Sequence, residues 1–127
     1  MLSYSAITEG IEITVRPVYL DEKSDYFEKR FVFGYLVRIL NASYSEVQLL
    51  RRHWTIQEGN GRVQEVEGEG VIGQQPILQP GETYEYSSYC VLGSFEGAMH
   101  GTYLLERGNG SRFKAAIPRF DLVANAN

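Results

Sequence analysis

The stretch FVFGYLVRIL, residues 31–40, is the most apolar run in this chain of 127 residues. It is rich in aromatic and β-branched residues, which favour strands over helices. Both alternating sets of positions are apolar, as expected for a strand that is covered on both faces. We therefore predict that residues 31–40 form a central strand of a sheet.

The segment before this run alternates apolar and polar residues, which is the period of a half-buried strand. Ile11, Ile13 and Val15 share one face of it. Pro17 predicts an edge strand or a bulge, because proline cannot donate a hydrogen bond to a ladder. The charged stretch 21–29 then predicts a loop that leads into the central strand.

The segment after the run shows the same alternation over residues 47–58. Leu50 and Trp54 are predicted to share one face, while Arg51 and His53 point the other way. Turns rich in glycine and proline separate this strand from the later ones. Further strands are predicted at residues 62–66, 82–92, 98–106 and 112–117.

No stretch has the period of an amphipathic helix, and the regular strands predict an all-β chain. We expect an immunoglobulin-like or fibronectin-III-like antiparallel β-sandwich of about seven to nine strands. Trp54 lies mid-chain, where such folds keep a core tryptophan, and Tyr103 lies where they often carry a tyrosine corner. We expect a single domain over 1–127, with frayed ends at about 1–6 and 124–127.

The overall composition excludes several classes of function. A net charge of −4 disfavours a general binder of nucleic acid or of anionic membranes. Cys90 is the only cysteine, so an intrachain disulfide and the common zinc frameworks are ruled out. The N-terminus does not have the pattern of a signal peptide, and no run is long enough to span a bilayer. We therefore expect a cytoplasmic protein.

The segment VEGEGVIGQQP contains a GxGxxG motif at Gly68, Gly70 and Gly73. A dinucleotide site would require a helix directly after the motif, yet Pro76 follows closely and no helical period begins. Two glutamates also interleave the glycines and would repel a phosphate. We predict a turn between strands. The alternative left open is an anion nest of backbone N–H groups, which would bind pyrophosphate or a diadenosine polyphosphate.

Residues with metal-binding or catalytic chemistry are few and scattered. His53, Cys90 and His100 occur singly, with no pair at ligand spacing, so we predict no metal site and no cofactor. No serine lies in a strand–elbow–helix context, and no general acid and base pair stands out. We therefore predict a protein without enzyme activity.

Aromatic residues are more suggestive, because the chain has nine Tyr and six Phe. Those outside the core would suit a contact surface with another protein. We predict such a surface at Arg51, His53 and Tyr89, and we expect a protein partner rather than nucleic acid or membrane. An uncovered edge strand, such as the one with Pro17, could instead pair across a homodimer axis.

Taken together, four segments closely resemble the bacterial ApaG family, also known as CorD, and the likeness covers about residues 10–122. The segments are Arg52-x-Trp54-x-Ile56, VEGEGVIGQQPILQPGETYEYSS at 66–88, Gly97-x-Met99-x-Gly101-x-Tyr103, and Ile117-Pro118-x-Phe120-x-Leu122.

The resemblance implies an immunoglobulin-like or fibronectin-III-like sandwich and a family without an established biochemical activity. Bacterial members are often encoded beside a hydrolase of diadenosine tetraphosphate, and are linked genetically with cobalt resistance and magnesium transport. Similar domains occur in eukaryotic F-box proteins and in a DNA polymerase-interacting protein. The resemblance therefore favours a binding role.

Overall fold

The computed structural model of the chain describes residues 2–124, which form nine β-strands and one short 3-10 helix at Asp21–Lys23. Within these residues, no helix is long and apolar enough to cross a membrane. The strands are β1 Tyr4–Thr8, β2 Ile11–Tyr19, β3 Phe31–Asn41, β4 Val47–Glu58, β5 Val63–Glu69, β6 Ile77–Leu78, β7 Thr83–Leu92, β8 Glu96–Arg107 and β9 Arg112–Val123.

These strands form two antiparallel sheets that pack as a sandwich, which confirms the predicted fold class. The first sheet has the order β1-β2-β3-β7, and the second has the order β5-β4-β8-β9 with β6 also paired to β4. β3 pairs with β2 on one side and with β7 on the other, so the apolar run at 31–40 is the central strand it was predicted to be.

The core lies between the sheets, and Trp54 is at its centre. The indole ring lies 5.4 Å from the ring of Tyr35, 6.4 Å from that of Tyr103 and 5.9 Å from that of Phe120, measured between centroids. Tyr103 is fully buried, and its hydroxyl shares a hydrogen bond with the hydroxyl of Tyr86. This bond joins β8 to β7 across the two sheets, so Tyr103 does not make the backbone bond of a tyrosine corner.

One side of the sandwich is closed and the other is open. β9 packs against β1 and β2 on the closed side, where the Ala116 N–H donates to Oγ1 of Thr8 at 3.1 Å. The strand orders therefore place β5 and β7, the remaining edges, together on the opposite side. Pro17 lies beyond the last residue of β2 that pairs with β1, so its missing N–H falls where β2 is itself an edge.

The chain ends are more ordered than predicted. Residues 4–6, expected to fray, belong to β1 and pair with residues 13–15 of β2. Ala124 is buried, and its N–H donates to the Phe95 carbonyl at 3.0 Å. Ladder bonds and core contacts hold both ends, whereas the sequence prediction assumed that terminal segments have neither. Residues 1 and 125–127, also expected to fray, lie outside the described residues.

A β-bulge in β4 changes which residues face the core. The pairing with β8 shifts between Leu49 and Arg51, so Leu50 is an extra residue in the strand. Leu49 is fully buried while Leu50 is half-buried, so the prediction that Leu50 shares the Trp54 face was wrong. The bulge puts Leu49 rather than Leu50 on the inner face, while regular alternation keeps Arg52 on that face beside Trp54, at the open side of the sandwich.

Asn41 organises the connection between the sheets. It is fully buried, and its Nδ2 donates to the carbonyls of Ser45 and Leu78, both at 2.9 Å. Its Oδ1 accepts the Ser43 N–H at 3.0 Å. One side chain thus fixes the turn after β3 and holds β6 in place.

We predict that Asn41→Ala lowers the free energy of unfolding by about 3 kcal/mol, because it leaves buried backbone groups without partners. The control is Asn109→Ala, which removes two bonds to Ser111 in an exposed turn and should cost about 0.5 kcal/mol. Urea unfolding curves with unchanged slopes measure both values. Equal losses in the two variants would contradict the role given to Asn41.

Candidate functional site

The glycine motif lies at the end of a strand. β5 continues to Glu69, and Gly68 pairs with Arg52 of β4. The Gly70 N–H donates to the Leu50 carbonyl at 2.8 Å. Because N–H groups in an antiparallel ladder alternate in direction, the N–H of Gly68 faces β4 as well. An added Cβ on Gly68 would lie 2.9 Å from the Arg52 guanidinium, so this glycine permits a close approach.

A tight turn follows the strand. Val71 and Gln74 exchange two backbone hydrogen bonds of 2.8 and 2.9 Å, with Ile72 and Gly73 at the corners. The φ angles of those two residues are 47° and 72°, as in a two-residue hairpin turn of type I′. Gly70 has a φ of 60°, which also favours glycine.

The motif is therefore a turn between strands, as predicted from the sequence. The alternative of an anion nest at Gly68, Gly70 and Gly73 does not fit this geometry. Such a nest requires several free N–H groups that converge on one point. The N–H of Gly70 is used by a carbonyl, and that of Gly68 is directed at β4.

The three candidate soft ligands do not come together. Nε2 of His53 lies 3.3 Å from Oε1 of Glu65 on β5. Cys90 is buried with its Sγ 3.6 Å from Sδ of Met99, and burial raises the pKa of this thiol to about 12, so it is protonated at neutral pH. Within residues 2–124, no three His, Cys, Asp or Glu side chains are grouped to hold a metal ion.

Cys90 and His100 belong to different sheets, since β7 pairs with β3 whereas β8 pairs with β4 and β9. The hairpin that would have placed them opposite each other does not form.

The predicted interaction surface divides between two faces of the molecule. Arg51 and His53 lie on the outer face of the second sheet, beside Glu67 and Lys114. Tyr89 lies on the outer face of the first sheet. The prediction that they form one surface was wrong, because alternation within a strand shows which residues share a face but not which sheet the strand joins.

A groove lies on the outer face of the first sheet, and Tyr89 is part of its lining. Its volume is about 970 Å³, which is within the usual range of ligand pockets. β2 and β3 form its floor through Val18, Val32, Gly34 and Leu36. Since Gly34 has no side chain, the floor is lowest there: an added Cβ would contact Val18 and Leu20, each at 3.4 Å.

The loop between β2 and β3 builds the far wall of the groove. The Leu20 N–H donates to the Val32 carbonyl at 2.8 Å, which continues the ladder past the end of β2. Oγ of Ser24 donates to the Leu20 carbonyl at 2.8 Å and accepts the Val32 N–H at 3.0 Å. Asp25 and Arg30 exchange two further backbone bonds. These bonds fix the loop over the sheet before anything binds.

The groove is cationic although the chain is acidic. Arg16, Lys23 and Arg30 line it, and all three are exposed. Among the described residues, none of the three forms an ion pair, and the groove lining includes no carboxylate. The site therefore combines an apolar floor with three exposed cations that form no ion pair among the described residues.

A smaller cavity of about 250 Å³ opens between the sheets, directly beside the groove. Tyr35, Ser88 and Tyr89 line both spaces. Arg52 lies at this cavity and donates from Nη1 to the Glu69 and Gly70 carbonyls, at 3.1 and 2.9 Å. Burial raises the pKa of Tyr35 and of Tyr86, so their hydroxyls are neutral at physiological pH.

Comparison with known proteins identifies this architecture. Residues 21–107 match the family described as the ApaG domain. The chain is 50% identical to Protein ApaG of Brucella canis over 119 residues, which are 94% of this chain and 92% of the relative. The chain belongs to the ApaG family.

Two further relatives agree with this assignment. Protein ApaG of Paramagnetospirillum magneticum is 52% identical over the same shares of the two chains. The crystal structure of a Bordetella pertussis protein designated ApaA superposes with a TM-score of 0.89 at 44% identity, and the match covers 92% of this chain and 95% of that one. The resemblance to ApaG inferred from the sequence is confirmed.

The cationic groove of this ApaG-family chain was not predicted from the sequence. One signal was present, because a glycine inside an apolar strand often marks a close approach by a ligand or another backbone, and Gly34 is such a glycine. Arg16, Lys23 and Arg30 gave no signal, since three single cations in different segments converge only after β2, the loop and β3 are placed.

We predict that Gly70→Ala destabilises the protein by about 3 kcal/mol or more. An added Cβ would lie 2.0 Å from the Gln74 carbonyl oxygen, and φ is positive. The control is Gly73→Ala, which also has positive φ but no atom within 4 Å of the added Cβ and should cost about 1 kcal/mol. Thermal and urea unfolding compare the two. A larger loss in Gly73→Ala would contradict the assigned turn.

We also predict that pyrophosphate and diadenosine tetraphosphate leave the amide resonances of Gly68 and Gly70 in place at millimolar ligand. Both N–H groups are directed at β4, so neither is available to an anion. Two-dimensional NMR of the isotope-labelled protein provides the measurement. A saturable shift of both resonances would restore the anion-nest alternative.

Proposed function

We propose that this chain is a protein-interaction module that binds an extended segment of a partner along the free edge of β7. One observation carries the proposal: within residues 2–124, β7 is a long edge strand that is paired on one side alone, and it lies directly beside a preformed groove. Addition of a strand to an exposed sheet edge is a common mode of peptide recognition, in which backbone bonds supply affinity and adjacent pockets supply specificity.

The other sheet edges are less suited to this role, and β6, which pairs with one end of β4, has only two residues. β1 has only five residues. β9 contains Pro118 and packs against β1 and β2. β5 carries three glutamates, and charged side chains protect an edge from pairing. β7, by contrast, has ten residues without proline, and among the strands of residues 2–124 it pairs with β3 alone.

The ladder shows which backbone groups of β7 are available. The Asn41 N–H donates to the Glu82 carbonyl at 3.0 Å at the start of the β3–β7 pair. Because bonding alternates along an antiparallel pair, the backbone groups of the odd-numbered residues 83–91 point away from β3. These free donors and acceptors would pair with an added strand.

The proposal is one of binding rather than catalysis. The thiol of Cys90 is buried and protonated, and among the described residues no serine, threonine or cysteine side chain is hydrogen-bonded to His53, so the geometry does not pair a nucleophile with a base. The genetic link of the family with cobalt resistance and magnesium transport would then arise through the partner protein that this chain binds.

We predict that Glu85→Pro weakens binding of extended peptides at least about tenfold, the equivalent of one hydrogen bond. Proline removes an N–H that points away from β3, at an edge position that tolerates proline. Glu85→Ala is the matched control, since it removes the same ion pair with Arg38 but keeps the N–H, and it should bind as the wild type does. Peptides selected from a random display library serve as probes.

The site of binding is checked independently by amide NMR. We expect shifts in residues 83–92 when a selected peptide is added. A library that yields no specific binder, or binders whose shifts lie elsewhere, would contradict the proposal. Sedimentation of the free protein shows whether two copies associate. If they pair through β7, the edge serves a homodimer instead of a different partner protein.

A further inference from the structure

We propose that the cavity between the two sheets binds a small apolar acid, and that Arg52 receives its carboxylate. This cavity has a volume of about 250 Å³ and lies at the open side of the sandwich, where Val66 of β5 and Tyr86 of β7 both line it. It uses inward side chains of β7 rather than the free backbone edge of that strand. The inference therefore goes beyond the proposed function and does not depend on it.

Arg52 is a half-buried cation inside the sandwich without a partner of opposite charge. It alternates with Trp54 along β4 and points inward. Among the described residues, Arg52 forms no ion pair, and no Asp or Glu lines the cavity. Glu58, at the end of the same inward row, is by contrast bound by the Gly93 N–H at 2.6 Å. Because charges inside proteins are ordinarily paired, the cavity at Arg52 lacks a negative charge.

The guanidinium of Arg52 is held in place with one edge open. Its Nη1 donates to the carbonyls of Glu69 and Gly70 at the end of β5. An added Cβ on Gly68 would lie 2.9 Å from Nη1 and 3.0 Å from Nη2, so this glycine makes room for the planar group. Nη2 and Nε have no hydrogen-bond partner among the described residues. Two neighbouring N–H groups of a guanidinium match the two oxygens of a carboxylate.

The hydroxyl groups near Arg52 supply more hydrogen-bond donors than the described residues accept. The hydroxyls of Tyr86 and Tyr103 share a single hydrogen bond. Those of Tyr35 and Ser88 share another. Burial raises the pKa of all three tyrosines, so their hydroxyls stay protonated, although the nearby charge of Arg52 lowers these pKa values. Each pair then keeps one hydrogen that no described residue accepts, and an anion would supply the missing acceptor.

The rest of the cavity lining is apolar and sets the size and shape of the ligand. These apolar side chains come from the second sheet and from the turn after β5: Trp54, Ile56, Val66, Val71 and Met99. A volume of about 250 Å³ holds about eight water molecules at about 30 Å³ each. The ligand is therefore an acid of about eight non-hydrogen atoms, with a short aliphatic body. Inorganic phosphate would leave the apolar lining without contacts.

The test uses 4-methylpentanoate, which matches this size, and its neutral amide as the control ligand. Trp54 is the only tryptophan of the chain and lines the cavity, so its fluorescence reports on binding. We expect saturable binding of the acid with a dissociation constant of about 1 mM or below. The amide lacks the charge that pairs with Arg52, so it should bind at least about tenfold more weakly. Inorganic phosphate should also bind at least about tenfold more weakly.

Substitutions locate the site. Arg52→Gln removes the charge and should weaken binding of the acid at least about tenfold, with little change for the amide. Arg51→Gln is the matched control, because Arg51 is the next residue of β4 but lies on the outer face, and it should bind the acid as the wild type does.

A second variant separates binding from stability, since Arg52 also holds the end of β5. Tyr35→Phe removes one hydroxyl donor, leaves the backbone bonds of Arg52 in place, and should weaken binding of the acid about fivefold. Urea unfolding verifies that each variant is folded under the conditions of the titration.

Each outcome decides the proposal. Equal affinity for the acid and the amide, or full affinity for the acid in Arg52→Gln, would show that Arg52 does not bind the carboxylate. Loss of the acid in Arg51→Gln would place the site on the outer face. An unchanged Trp54 fluorescence and indole N–H resonance at millimolar acid, or binding of phosphate alone, would overturn the class of ligand. None of these results affects the edge of β7, which the peptide library tests separately.

Discussion

The apolar character of both faces of β3 is the constraint from which the rest of the structure follows. Phe33, Tyr35 and Val37 face the other sheet and are buried there. Val32 and Leu36 face the opposite way, and no second sheet covers them. The loop at residues 20–30 covers part of this outer face, which is why Val32 is buried too. The part that the loop leaves uncovered is the floor of the groove.

The loop therefore has both a structural and a functional consequence. A strand that is apolar on both sides must be covered or must bind something, since large exposed apolar patches on soluble proteins mark interaction sites. Ser24 fixes the loop through bonds to Leu20 and Val32, and the same loop carries Lys23 to the rim. The loop that covers one end of β3 therefore also places a cationic side chain at the rim of the groove.

The sequence predicted the strands because their signals are local. Alternation identified Ile11, Ile13 and Val15 as core residues, and all three are fully buried. A glycine-rich turn was predicted between the strands at 47–58 and 62–66, and there Oδ1 of Asn60 accepts the Arg62 N–H. The glycine motif was also correctly predicted to be a turn, since no helix follows it and a dinucleotide site requires one. In these cases, the residues that decide the structure are close together in the chain.

The candidate site was predicted less well because its determinants are not local. The bulge at Leu50 depends on how β4 pairs with β8, and no turn residue marks it. Whether Tyr89 lies beside Arg51 depends on which sheet β7 joins, and a strand with the same alternation could join either sheet. A groove formed by β2, a loop, β3 and β7 can be recognised only after those long-range pairings are known.

The distribution of charge on the open side of the sandwich reinforces the choice of edge. β5 and β7 are both free edges there, yet β5 carries Glu65, Glu67 and Glu69, and two of these lie near His53 on the far face. An acidic segment would be repelled along β5, with about 1 kcal/mol for each close pair of exposed like charges. β7 carries a single carboxylate, Glu85, and it is paired with Arg38. The charge of the two edges therefore also favours β7 over β5 as the strand that pairs with a partner.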